Sequence, residues 1–208
     1  MLSRRAFLAG ASLAGLAACA GEPVWAPDDV VRAKAFRGTG PKSLTLYTMI
    51  DVRDGSGAHS SVLVDASQRV MFDPAGTFGH PTIPERNDVL FGFSPRVEQY
   101  YVSYHARETF YVVGQTVQVS PQVAEQALQL FMTNGPVAKA NCTRVTSSIL
   151  RQLPGFQSLP QTWFPVALME AFGQLPGVVA REYRETDPDN KALAARQVDM
   201  QIRADQLQ

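Results

Sequence analysis

The sequence predicts an α+β domain in which an antiparallel sheet packs against helices. Two features of the chain indicate this class. Up to about residue 119, runs rich in β-branched and aromatic residues alternate with Gly, Pro, Asp and Ser clusters, as strands and turns do. From Ser120 onwards, apolar residues recur at helical spacing. Strands followed by helices are typical of the α+β class.

The predicted strands cover residues 44–49, 59–64, 69–72, 88–93 and 109–119. The second and third form a hairpin whose register can be derived. If Val64 pairs with Val70, one face of the hairpin is uniformly β-branched or aromatic. Because side chains alternate along a strand, His59 and Asp73 then share the other face as diagonal neighbours. A shift of one residue would separate them.

Helical patterns follow the strands. The first helix is predicted to begin at the N-cap and first-turn pair Ser120-Pro121 and to end at Asn134-Gly135-Pro136. Two more are predicted over about 141–153 and about 160–172. In the tail, residues 178–184 are compatible with a strand, and a polar helix is predicted over 191–202.

The first 18 residues indicate an export signal. Arg4 and Arg5 form a twin-arginine start, and an apolar run over 6–18 follows that is too short to span a bilayer. The run ends in Leu-Ala-Ala before Cys19, which resembles a bacterial lipobox with cleavage before Cys19 and lipid on its sulfur. We therefore expect a protein of the bacterial cell envelope, anchored in the membrane through Cys19 and facing the periplasm.

Four segments follow from this interpretation. Residues 1–18 are the signal peptide, and residues 19–42, rich in Pro and Gly, are a lipidated tether and lead-in. Residues 43–175 form the main domain, and residues 176–208 form a C-terminal extension.

Charge and composition exclude several kinds of partner. Removal of Arg4 and Arg5 lowers the count of Lys and Arg from 19 to 17 against 19 acidic residues, which is a net charge near −2. Such a chain lacks the basic patch that nucleic-acid binding requires. No phosphate-binding Gly loop or dinucleotide fingerprint occurs, and no close pair of Cys or His ligands predicts zinc. We therefore expect no cofactor and no metal.

Cys142 is one of two cysteines in the chain. If Cys19 carries lipid, Cys142 has no intramolecular partner in a compartment that oxidises thiols. It is then a reactive thiol, half of an intermolecular disulfide, or an inert buried thiol. Its position at the predicted start of a helix favours reactivity, because free N–H groups and the helix dipole lower a thiol pKa there.

A nucleophilic cysteine needs a base, commonly a histidine that a third group orients. Only three histidines are available. His80 lies in a Gly-His-Pro loop and His105 follows a tyrosine-rich stretch, so both are predicted to be structural or surface residues. His59 is the candidate base, because the hairpin register brings Asp73 close to it.

These residues resemble a known family. The Gly-Ala-His-Ser-Ser-Val strand around His59, the acid Asp73 one strand later and the late Asn-Cys at 141–142 are similar to the circularly permuted papain-like fold. That group belongs with the NlpC/P60 superfamily and includes lecithin retinol acyltransferase-like and YiiX-like proteins. In papain the cysteine helix precedes the histidine strand, whereas the permuted group has the histidine first, as here. The resemblance covers roughly residues 43 to 153.

The resemblance implies a permuted papain-like cysteine-hydrolase architecture. It implies Cys142 as nucleophile, His59 as general base and Asp73 as the third polar residue. The glutamine that completes the papain oxyanion hole has no clear counterpart, and Asn134, Asn141 and Tyr47 are the candidates.

The sequence also departs from the acyltransferase branch of the family. That branch has a second histidine near the third position, where this chain has Asp73. It also has an acid or histidine soon after the cysteine, where this chain has Thr-Arg-Val at 143–145. Both departures argue against close kinship with that branch.

The leading hypothesis is a lipid-anchored periplasmic thiol hydrolase. It would form a thioacyl intermediate on Cys142 and act on a cell-envelope peptide or an acyl ester. The alternative is a non-catalytic envelope lipoprotein that uses the same cleft for binding.

Overall fold

The computed structural model describes residues 21–206, and within that range the chain forms seven strands and six helices. The strands are β1 Ser43–Asp51, β2 Gly57–Asp65, β3 Arg69–Phe72, β4 Glu85–Arg86, β5 Val89–Leu90, β6 Phe110–Gln118 and β7 Val179–Tyr183. The helices are α1 Asp28–Lys34, α2 Pro95–His105, α3 Pro121–Thr133, α4 Cys142–Leu150, α5 Pro165–Gly173 and α6 Lys191–Gln206. The predicted signal peptide and Cys19 lie outside the described residues. None of the described helices is both long and apolar enough to cross a membrane.

All strands belong to one antiparallel sheet with the order β4-β5-β3-β2-β1-β6-β7. The α+β class and the antiparallel sheet are confirmed. The predicted hairpin register is also confirmed, because Val64 pairs with Val70 and Val62 pairs with Phe72.

The alternation of side chains along the strands creates two cores, one on each face of the sheet. One face is covered by α3, α4 and α5, which pack on residues such as Val62, Val64 and Phe72. The other face is covered by α2 and α6, which pack on residues such as Leu63 and Met71. The C-terminal residues are integral to this architecture, since β7 pairs with β6 and α6 contacts α2.

Two helices start with the same Ser-Pro signal. Ser94 Oγ accepts from Val97 N at 3.2 Å at the start of α2, and Ser120 Oγ accepts from Val123 N at 3.3 Å at the start of α3. In both, the hydroxyl satisfies a free backbone donor of the first turn. The Ser-Pro pair at 120–121 predicted α3, whereas α2 was not predicted from the sequence.

Two predicted boundaries were wrong. Only Val89–Leu90 of the predicted strand 88–93 is a strand, because Asn87 and Asp88 have φ values of 45° and 68° and form a tight turn between β4 and β5. The third predicted helix begins at Pro165 rather than about Pro160. A proline disfavours helical backbone in the residue before it, and Phe164 is extended with φ −99° and ψ 114°.

Candidate active site

His59 and Asp73 are brought together by the β2–β3 hairpin. β3 ends at Phe72, which lies opposite Val62 of β2. Asp73 is the next residue of the chain and lies beside the part of β2 that precedes Val62. The His59 Nε2 atom lies 2.7 Å from Asp73 Oδ1. Both side chains are largely shielded from solvent, with 16% and 3% of the side-chain surface exposed.

Tyr101 of α2 is a second partner of the Asp73 carboxylate. Its hydroxyl donates to Asp73 Oδ1 at 2.7 Å and also lies 2.7 Å from Ser61 Oγ. The carboxylate is therefore fixed from two directions, by the imidazole it orients and by a buried phenol. Sequence reasoning missed Tyr101, although the Ser94-Pro95 cap signal could have placed the tyrosine-rich stretch on a helix.

Cys142 is the first residue of α4, as predicted, and its thiol is free. The sulfur lies 3.7 Å from Thr143 Oγ1, and His59 and the backbone N–H of Ser60 both lower the pKa of the Cys142 thiol. Because Nε2 of His59 faces Asp73, Nδ1 is the nitrogen that remains for the sulfur.

The edge of β2 beside His59 is open, and α4, which begins with Cys142, packs near it. β3 pairs with β2 only over residues 62–65, so the preceding part of β2 has no strand partner on that edge among the described residues. α4 packs on the face to which Ser60 points, and Ser60 Oγ lies 3.0 Å from Thr143 Oγ1. Because side chains alternate along a strand, His59 projects to the opposite face, beside the open edge.

The surroundings of the site favour a thiolate–imidazolium pair. Burial raises the pKa of the Cys142 thiol, but His59 and the Ser60 N–H outweigh it and lower that pKa to about 7. Burial lowers the pKa of His59, but the hydrogen bond and charge of Asp73 outweigh it and raise that pKa to about 10. Burial likewise raises the pKa of Asp73, and His59 reverses the effect to leave it below its ordinary value. At pH values between the pKa of Cys142 and the pKa of His59, the thiolate–imidazolium pair is therefore the favoured state.

The other two histidines have structural partners. His105 is buried, Nδ1 lies 2.8 Å from Tyr101 O, and burial lowers its pKa to about 3. His105 is therefore a neutral structural residue, and the surface alternative was wrong for it. His80 lies between Thr82 Oγ1 at 2.8 Å and Asp199 Oδ1 at 3.1 Å, which joins its loop to α6.

The three oxyanion candidates have other hydrogen-bond partners. Asn141 precedes Cys142, but its side-chain amide donates to Lys139 O at 3.1 Å. Asn134 follows α3 and donates to Gly135 O at 3.1 Å. The Tyr47 hydroxyl donates to Glu98, and burial together with the charge of Glu98 raises the pKa of Tyr47. None of these side chains forms a hydrogen bond with Cys142 in the described part of the chain.

A cavity of about 200 Å³ opens beside His59. Its walls include Met49, Ala58 and Phe110, and the ammonium-bearing Lys191 of α6 contributes to its lining.

Over residues 21–206, no group of three or more His, Cys, Asp or Glu side chains is arranged to hold a metal ion. Comparisons with protein-family models, curated proteins and solved structures found no match for this chain.

Proposed function

We propose that this protein is a thiol hydrolase with a papain-like site in circularly permuted order. The observation that carries the proposal is the 2.7 Å contact between His59 Nε2 and Asp73 Oδ1, together with the effect of His59 in lowering the pKa of the Cys142 thiol. An inert buried cysteine needs neither a base nor a lowered pKa. A nucleophilic cysteine needs both, together with a group that orients the base.

In the proposed reaction, the Cys142 thiolate attacks the carbonyl carbon of an amide or ester. The backbone N–H at the start of α4 donates to the oxyanion that forms beside the sulfur. The His59 imidazolium then transfers its proton to the leaving nitrogen or oxygen, and the acyl group remains on Cys142 as a thioester. His59 next activates a water molecule, which releases the acid and restores the thiol.

Asp73 and Tyr101 act through His59 in this scheme. The carboxylate holds the imidazole with Nε2 inward and stabilises its positive charge, and the Tyr101 hydroxyl holds the carboxylate. This arrangement supports a general base whose orientation does not depend on bound substrate.

The N-terminal sequence is the basis for the proposed location, and the proposed substrate class follows from that location. We propose a mature protein lipidated on Cys19 that faces the periplasm of a bacterial cell and acts on cell-envelope peptides or acyl esters. A Cys19→Ser variant should lose palmitate incorporation and leave the membrane fraction. Retention of both would contradict the lipid anchor without affecting the catalytic proposal.

The catalytic proposal is tested by exposing the protein to p-nitrophenyl acyl esters and acyl anilides. An acyl adduct on Cys142 should be detected by intact-mass spectrometry, and nitrophenol or nitroaniline should be released. Cys142→Ser and His59→Ala should each abolish the thioester. His80→Ala removes a histidine outside the site and should leave the adduct intact.

A non-catalytic binding lipoprotein predicts a different result. It would form no adduct with any ester or anilide, and Cys142→Ser would leave the phenotype of the cell unchanged. Either finding would overturn the catalytic assignment.

A further inference from the structure

The cavity beside His59 lies on the side of the site where the leaving group of the proposed reaction would extend. His59 lines this cavity, whereas Cys142 is not among its lining residues in the described chain. In the proposed reaction the acyl group stays with the sulfur, and His59 protonates the departing atom. The group attached to that atom must extend on the His59 side. The cavity is therefore in the place of a leaving-group subsite.

The walls of the cavity fit a small group with an apolar body. Met49, Ala58 and Phe110 contribute apolar surface. A volume of about 200 Å³ has room for roughly seven water-sized groups. This is enough for one small amino acid.

Lys191 gives the cavity a positive charge. Its Nζ donates to Tyr104 O at 3.2 Å and lies 4.4 Å from the centre of the Tyr104 ring. None of the ion pairs of residues 21–206 includes Lys191. Since an ammonium group has three donors, two remain beyond the one that Tyr104 uses.

No charged side chain of the described residues forms an ion pair with Lys191. Asp73 is occupied by His59 and Tyr101, and His105 is neutral. Burial lowers the pKa of Lys191, and the charge of Asp189 partly opposes that effect. Lys191 is an exposed residue, so its two remaining donors are open to water and to an anion that enters the cavity.

We propose that Lys191 recognises a carboxylate on the leaving group, so that the scissile bond joins an acyl group to the amine of a small amino acid with a free carboxylate. The bond that breaks is the C–N bond. Its acyl carbon becomes the Cys142 thioester, its nitrogen takes the proton of His59, and the amino acid leaves with its carboxylate paired to Lys191. A single ammonium matches one negative charge better than a phosphate dianion. This inference rests on the proposed function for the existence of a leaving group.

The test uses the full chain carrying Cys142→Ala, so that binding is measured without turnover. N-acetyl-alanine of each hand, the matching N-acetyl-alaninamides and glycerol 3-phosphate are titrated against protein with ¹³C-labelled methionine methyl groups. The Met49 methyl resonance reports occupancy of the cavity. The acid should bind at least tenfold more tightly than the amide for at least one hand.

Variants of Lys191 distinguish recognition from a structural role. Lys191→Met should remove the preference for the acid, and Lys191→Arg should restore most of it. Lys34→Met, which removes a lysine outside this cavity, should leave the preference unchanged. A thermal melt of each variant shows whether loss of the bond to Tyr104 O unfolds the protein.

Three outcomes would overturn the inference. These are equal affinity for acid and amide, an undiminished preference in folded Lys191→Met, and tighter binding of glycerol 3-phosphate than of N-acetyl-alanine. Failure of the acyl-adduct experiment is a separate result. It would contradict catalysis by Cys142, whereas the binding preference is measured in a variant that lacks the thiol.

Discussion

The Nε2 atom of His59 and the Oδ1 atom of Asp73 lie 2.7 Å apart on neighbouring strands. This contact leaves the other ring nitrogen of His59 for the Cys142 sulfur. It also raises the pKa of His59 to about 10, against the opposing effect of burial. The reactivity of the cysteine therefore depends on a carboxylate that does not touch it.

Replacement of Asp73 by asparagine should make Cys142 less reactive. A neutral amide does not stabilise the imidazolium, so the pKa of His59 should fall and that of the Cys142 thiol should return towards about 8.5. The rate of alkylation by iodoacetamide at pH 7 should drop roughly tenfold, in proportion to the thiolate fraction. Hydrolytic activity should fall by about 10²- to 10⁴-fold.

Asp199→Asn is the matched control for this experiment. It removes the carboxylate of the other Asp–His contact, in which His80 Nε2 lies 3.1 Å from Asp199 Oδ1. Its alkylation rate should equal that of the unaltered protein. An unchanged rate in Asp73→Asn would show that the carboxylate does not control the thiol.

Loss of the Tyr101 hydroxyl should destabilise the fold. Tyr101→Phe keeps the ring but removes a donor to the buried Asp73 carboxylate, and hydrogen bonds to charged groups contribute about 1.5–3 kcal/mol. Tyr104→Phe is the comparison, because its hydroxyl donates to the neutral Thr77 O at 3.1 Å and should contribute about 0.5–1.5 kcal/mol. The free energies of unfolding in urea measure both. A smaller loss for Tyr101→Phe than for Tyr104→Phe would contradict the assigned role.

Gly76 should be intolerant of any side chain. A Cβ atom at this position would lie 1.9 Å from Asp73 Oδ2, so Gly76→Ala should displace the carboxylate from His59. Gly79→Ala provides a control in the same loop, because nothing lies within 4 Å of a Cβ there. Iodoacetamide alkylation of Cys142 at pH 7 should slow roughly tenfold in Gly76→Ala and stay unchanged in Gly79→Ala. Equal rates in the two variants would contradict this account.

Part of the site could be predicted from the sequence because it is formed by residues that lie close together along the chain. The alternation of apolar and polar residues in the β2–β3 hairpin allows one register that buries a uniform face, and that register brings His59 to Asp73. The start of α4 could be predicted from the Gly-Pro loop before it.

The rest depends on tertiary packing. Tyr101 reaches Asp73 because α2 crosses the sheet, and no periodicity in the sequence indicates where a helix crosses. Lys191 reaches the cavity because α6 folds back across α2 from the end of the chain. The Ser60 N–H acts on the Cys142 thiol beside the edge of β2 that β3 leaves open after Phe72, and a strand pattern in the sequence does not reveal where the pairing stops.

The central claim is that His59 activates Cys142, and the pH dependence of Cys142 alkylation tests it most directly. The thiolate reacts and the thiol does not, so the rate should rise as pH increases through about 7 and then reach a plateau. In His59→Ala the midpoint should move up to about 8.5 or higher, because burial remains and the imidazolium is lost. A midpoint near 8.5 in the unaltered protein, or the same midpoint in both proteins, would contradict the account.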